Sequence, residues 1–85
     1  MIWRLEWTDR ALRDAERLDR RTRERILAAL ERLAATNYGD VERLHGRDRE
    51  WRLRMGQWRV RLIFDAESGT IVILRVLPRG RAYRR

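Results

Sequence analysis

Residues 51–60 read WRLRMGQWRV. Trp51, Leu53 and Met55 alternate with Arg52 and Arg54, the period of a strand with one buried face. Gly56-Gln57 follows, and a glycine in first place suits a two-residue hairpin turn whose first central residue takes positive φ. Trp58 and Val60 then alternate with Arg59. About that turn Met55 faces Trp58, Arg54 faces Arg59, Leu53 faces Val60 and Arg52 faces Arg61. The apolar pairs share one face and the four arginines share the other. Like charges set directly opposite one another destabilise a sheet. Two such pairs in succession break a local rule with no visible gain, as functional sites do.

Downstream, Leu62 and Phe64 continue the apolar face. Asp65 to Thr70 contains Ser68-Gly69 and reads as a second hairpin turn. Ile71 to Leu77 is nearly all aliphatic, as a central strand is. In simple register Arg75 shares a face with Ile73, and Arg79 follows just past the strand. After Pro78 comes a basic tail, Arg79-Gly80-Arg81-Ala82-Tyr83-Arg84-Arg85.

Upstream the period is helical. Ile26, Leu27, Leu30, Leu33 and Ala34 form an apolar stripe over a helix ending near Ala35, with Asp19 or Thr22 as its cap. Ala11, Leu12, Ala15 and Leu18 predict a shorter helix opened by Thr8-Asp9. The junction at 19–22 is short, so the two helices form a hairpin. Asn37-Tyr38-Gly39-Asp40 stops the second helix, and a polar connection runs on to about Glu50. At the start of the chain, Trp3, Leu5 and Trp7 alternate with Arg4 and Glu6 as a half-buried strand. The expected fold is α+β: an N-terminal strand, a helical hairpin, then a three-stranded antiparallel meander. Its helices pack on one face of a four-stranded sheet.

The chain has 85 residues, so residues 1–85 are expected to form one domain. With no Cys and one His, disulfides, thiol catalysis and Cys-rich zinc sites are excluded, and no metal or organic cofactor is expected. Arg4 and Glu6 interrupt the place where a signal peptide needs an apolar run, and no apolar run spans a membrane. The expectation is a soluble cytoplasmic protein. The formal net charge is +8 and every cation is Arg. Residues 51–85 hold 9 Arg against Asp65 and Glu67, a balance of +7, whereas residues 1–50 hold 12 Arg against 11 acids. Arg presents a planar fork of donors matched to phosphate and does not release its proton near neutral pH.

A basic sheet face of this kind suits a polyanion. Two plainer uses stand beside that one: solvated arginines, or a surface that docks an acidic protein. His45, in Leu44-His45-Gly46, is a weak acid–base candidate, since a lone loop histidine is more often structural. Trp3, Trp7 and Trp58 fall on apolar faces and read as packing. Tyr83 lies in the basic tail away from any apolar stripe, where stacking on a nucleobase is a natural role.

The succession L44-H-G, W51-R-L-R-M-G-Q-W-R-V and I73-L-R-V-L-P-R-G-R-A-Y83-R resembles the RelE/ParE toxin superfamily of bacterial toxin–antitoxin systems. The likeness covers essentially the whole chain, and its specificity lies in the order and spacing of the motifs together. It implies a small sheet with two helices on one face, like microbial ribonucleases. It also implies a ribosome-dependent endoribonuclease that cuts mRNA in the A site by attack of the 2′-hydroxyl on the adjacent phosphate. The basic and aromatic catalytic positions fall on Arg52, Arg54, Arg59, Arg79 and Tyr83. Arg61, Arg75, Arg81, Arg84 and Arg85 are then expected to contact mRNA and the ribosome.

Some relatives carry Lys where Arg52 and Arg54 stand here, and many carry His or Lys where this chain has Pro78. A general base of that type is absent, so the expected catalysis is chiefly electrostatic. The resemblance leaves two alternatives open: a ParE-like inhibitor of DNA gyrase, and a catalytically inactive nucleic-acid-binding relative. It further implies a cognate antitoxin protein, with the toxin monomeric when free and hetero-oligomeric with its antitoxin.

Overall fold

Capping residues decide where the helices begin and end. The computed structural model describes residues 2–46 and 49–80, which form β1 (Arg4–Trp7), α1 (Asp9–Glu16), α2 (Arg20–Thr36), β2 (Val41–Arg43), β3 (Glu50–Met55), β4 (Trp58–Asp65) and β5 (Thr70–Pro78). Thr8 opens α1, its hydroxyl accepting the Ala11 N–H at 3.1 Å. Asp19 opens α2 in the same way through the Thr22 N–H at 3.1 Å. Both satisfy amide donors that a first helical turn leaves unpaired. Asn37 ends α2 at φ 63°, a left-handed conformation that Asn tolerates, and its N–H bonds the Leu33 carbonyl.

The sheet order is β1-β5-β4-β3-β2. The β3–β4 hairpin has the expected register: Met55 opposite Trp58, Arg54 opposite Arg59, Leu53 opposite Val60 and Arg52 opposite Arg61. Gly56, at φ 58°, supplies the turn conformation that a side chain resists. The described residues hold five strands rather than four. β2 lies in the segment read as a polar connection; at three residues it is too short to show an alternation, and its pairing with β3 carries it. β1 joins β5 in parallel, so the first and last strands are neighbours at the far side of the sheet.

One further expectation on register fails. A bulge between Arg61 and Leu62 places one extra residue, Leu74, on β5, so Ile73 pairs with Leu62 while Arg75 pairs with Arg61. Ile73 therefore stays in the core and Arg75 turns to the opposite face, because a one-residue slip exchanges the two faces of a strand. The bulge is clasped from α1: the Thr8 hydroxyl donates to the Leu74 carbonyl at 3.1 Å.

The core lies between the helices and one sheet face. Ile26, Leu30 and Leu33 of α2 meet Leu53, Val60, Leu62, Ile71 and Ile73, all buried. Trp3, Trp7, Trp51 and Trp58 pack around them, and Phe64 makes edge-to-face contacts with Trp3 and Trp51. Leu12 and Leu27, expected in the helical stripes, are exposed. Among the described residues no helix is long and apolar enough to cross a membrane.

Candidate nucleic-acid interface

Strand register sets the second face of the sheet. Glu42, Arg52, Arg61 and Arg75 stand in one row across β2, β3, β4 and β5. Arg54 and Arg59 stand opposite each other in the neighbouring row, with Leu77 beside Arg59 on β5. The alternation in sequence thus brings Arg52, Arg54, Arg59 and Arg61 together, and the bulge adds Arg75.

The arginines are not the uncompensated, solvent-facing group that their spacing suggested. Arg52 Nη2 lies 2.9 Å from Glu42 Oε2, Arg54 Nε 3.0 Å from Asp40 Oδ2, and Arg61 Nη2 2.5 Å from Glu50 Oε2. Arg75 Nε lies 2.8 Å from Asp14 Oδ2. Arg52, Arg59 and Arg61 are buried, at 2%, 6% and 8% exposure. At Arg52 and Arg61 the carboxylate offsets the large desolvation cost that a buried cation carries without a counter-charge. All four carboxylates come from residues 1–50, so folding brings acids from the balanced half to the basic half. One of them was legible: Glu50 alternates with Arg52 and therefore shares its face. Nothing local announces Asp14, which is 61 positions from its partner.

Asp14 does two jobs at once. Its carboxylate accepts from Arg75 and, at 2.9 Å, from the Val76 backbone N–H. β1 pairs with β5 only as far as Ile73, and farther along β5 the Asp14 side chain of α1 accepts the Val76 amide. Burial pushes the Asp14 carboxyl up, but the Arg75 and Val76 hydrogen bonds outweigh it and hold it below the ordinary carboxylate value; the same contact raises Arg75.

Arg59 is the exception on this face. Its Nη1 donates to the Gly56 and Trp58 carbonyls at 2.8 and 2.7 Å, and among the described residues no carboxylate pairs with it. Its Nε, like that of Arg61, is buried without a hydrogen-bond partner. Arg79 is exposed just beyond β5, and its backbone N–H bonds the Gln57 carbonyl at 2.8 Å. That bond seats Arg79 against the same hairpin turn that Arg59 braces. Arg59 and Arg79, neither paired with a carboxylate among the described residues, therefore both lie at the β3–β4 turn. Tyr83, Arg81, Arg84 and Arg85 lie outside the described residues. His45 sits exposed in the turn after β2, remote in role from this cluster. Among the described residues no three His, Asp or Glu side chains gather as metal ligands do.

Comparison with known proteins places the chain in a family and matches its fold. A profile described as the ParE toxin of the type II toxin–antitoxin system parDE matches residues 5–83. The toxin–antitoxin complex RelBE2 from Mycobacterium tuberculosis is similar in structure, with a TM-score of 0.81 and 26% identity over 93% of this chain and 100% of that one. The archaeal RelE–RelB complex from Pyrococcus horikoshii OT3 matches at a TM-score of 0.78 and 25% identity, covering 95% of this chain and 99% of the other. A substituted form of the Escherichia coli toxin RelE in the free state shares the fold at a TM-score of 0.79 and 18% identity, over 98% and 88% of the two chains. No curated protein matches the sequence significantly.

Proposed function

Since the chain belongs to the ParE toxin family of type II toxin–antitoxin systems, within the RelE/ParE superfamily, we propose that this toxin arrests translation by cutting mRNA on the ribosome. One observation carries the reading: Arg59 is a buried guanidinium held by two carbonyls and, among the described residues, by no carboxylate, at the same turn to which the Arg79 backbone is bonded. A cation kept in that state is suited to receive an anion that the protein does not supply.

The chemistry follows from the RNA itself. The 2′-hydroxyl gives up its proton to water as its oxygen forms a bond to the adjacent phosphorus and the bond from phosphorus to the 5′-oxygen breaks. A 2′,3′-cyclic phosphate remains on one fragment, and the departing oxygen takes up a proton to become a 5′-hydroxyl. Arg59 stabilises the charge that grows on the phosphoryl oxygens, and Arg79 supports the leaving oxygen. Arg54 makes an exposed ion pair with Asp40, a contact for which a phosphate competes. Tyr83 stacks on a base. Arg52, Arg61 and Arg75 keep the role of shaping the face, their charges being compensated within the chain; Arg81, Arg84 and Arg85 extend the contact to ribosomal RNA. No cofactor is needed, because the nucleophile belongs to the substrate. The site of action is the cytoplasm, and the protein partner is a cognate antitoxin, as in the RelBE complexes of similar fold.

The second reading, inhibition of DNA gyrase, is favoured by the ParE description of the matching profile and by the internal pairing of four arginines. Induced expression followed by mapping of 5′-hydroxyl ends separates the two. The expected result is cleavage confined to translated reading frames, reduced about 100- to 1000-fold in Arg59→Ala or Arg79→Ala. Intact transcripts, together with loss of supercoiling when the purified toxin meets gyrase, would overturn the ribonuclease reading and establish the other.

A further inference from the structure

A groove of about 370 Å³ opens beside the hairpin, between the end of α2 and the edge of β3. Arg32, Arg54, Tyr38, Asp40, Ala29 and Leu53 line it. Its volume falls within the usual range of small-ligand sites, about 300 to 1,000 Å³. Gly39 shapes the back of the groove: a Cβ there would lie 3.2 Å from Leu33 Cδ1 and 3.3 Å from Leu53 Cδ1, so the loop is drawn hard against the core.

Three features give this groove a chemistry. The Tyr38 ring is 71% exposed, well above what packing needs of an aromatic residue. Arg32 is exposed on the same side, and among the described residues no carboxylate pairs with it. Arg54, at the third side, makes an exposed pair with Asp40, the two side chains being 50% and 57% accessible. Exposed pairs of this kind hold their partners weakly and yield to a competing anion. A flat ring flanked by two guanidinium groups is the arrangement that binds single-stranded nucleic acid: base on ring, phosphate on Arg. A second groove, of about 220 Å³ between α1 and α2, lacks that combination; Trp7, Leu12, Leu18 and Leu27 wall it, with Arg23 as its only cation.

We propose that the α2–β3 groove holds one nucleotide of a single-stranded RNA, its base stacked on Tyr38 and its phosphate between Arg32 and Arg54. Arg54 joins this position to the candidate site, since it stands directly opposite Arg59 in the hairpin. The strand thus runs from the Arg59 end of the sheet over its edge. The inference rests on the reading of that face as an RNA surface, and it adds a binding position outside the reacting centre.

The test uses the purified chain and a fluorescein-labelled single-stranded 12-nucleotide RNA of mixed sequence, followed by anisotropy across a salt series. Tyr38→Ala is expected to weaken binding about 10-fold, the scale of one lost base stack, while Tyr38→Phe keeps the affinity. Arg32→Ala is expected to weaken binding and to flatten the slope of log affinity against log salt by about 0.7, one phosphate contact on a single strand. Both side chains are exposed, so circular dichroism and melting should be unchanged. Wild-type affinity in Tyr38→Ala and Arg32→Ala overturns the inference, as does an absence of binding by the wild-type chain. Arg59→Ala separates the two levels: if it alone weakens binding, the RNA face stands and the groove is excluded. If the groove variants weaken binding and Arg59→Ala does not, the groove stands and the reading of Arg59 fails.

Discussion

The two faces of the sheet are built by different rules. On the helix side, Leu53, Val60, Leu62, Ile71 and Ile73 are covered by α2, and any apolar group of suitable volume closes the gap. On the other side each guanidinium answers to one particular oxygen: Glu42, Asp40, Glu50 or Asp14. Burial of apolar surface has no direction, whereas an ion pair needs a named partner at contact distance. The first face therefore resists change through volume and the second through pairing, and among the described residues Arg59 on the second escapes that pattern.

The contrast can be broken at several depths. The largest effect is expected from Leu62→Ala, which opens a cavity in a fully buried site and should cost about 4 kcal/mol in denaturant unfolding. Glu50→Gln should follow at about 3 kcal/mol, because it strands the Arg61 charge away from water. An unchanged midpoint in Glu50→Gln would show that pairing on the second face contributes nothing to stability.

Asp14→Asn should cost about 2 kcal/mol at neutral pH by weakening the contacts with Arg75 and the Val76 amide. The pH dependence has a definite sign. The Asp14 carboxyl is held below its ordinary 3.8 in the folded chain, so its contribution is complete above 3.8 and is lost as pH falls through the folded value. Wild-type and Asp14→Asn melting temperatures should therefore converge in acid and separate above pH 4.

Arg59→Met should move the other way. Replacing a buried guanidinium that has no counter-charge among the described residues with an apolar chain of similar length should raise stability by about 1 kcal/mol while abolishing toxicity. A variant both less stable and still toxic would remove Arg59 from the functional site. The smallest effect is expected from Asp40→Asn, under about 1 kcal/mol, since its pair with Arg54 is exposed on both sides.

Much of this architecture is legible in the chain. Alternation across Trp51–Met55 and Trp58–Phe64, with Gly56 between them, settles the hairpin register to the residue. Thr8, Asp19 and Asn37 mark the helix ends where the caps are found. What escapes is whatever depends on distant neighbours. β2 is three residues held by the edge of β3, and the Leu74 bulge is fixed by Thr8 from another element. The candidate site divides in the same way. That Arg52, Arg54, Arg59 and Arg61 share a face follows from local period; that three of them are compensated follows from Asp40, Glu42 and Glu50. Arg59 differs from its neighbours by the absence of such a partner, which no spacing rule records.

The parallel pairing of β1 with β5 has a consequence for when this protein becomes itself. The strand synthesised first waits for the one synthesised last, since Leu5 and Trp7 find their partners only at Ile71 and Ile73. Contacts so far apart along the chain form late and slowly. A growing chain therefore completes its sheet only once β5 has followed the four earlier strands, and the rows of residues that cross from β2 to β5 come together at that same late stage.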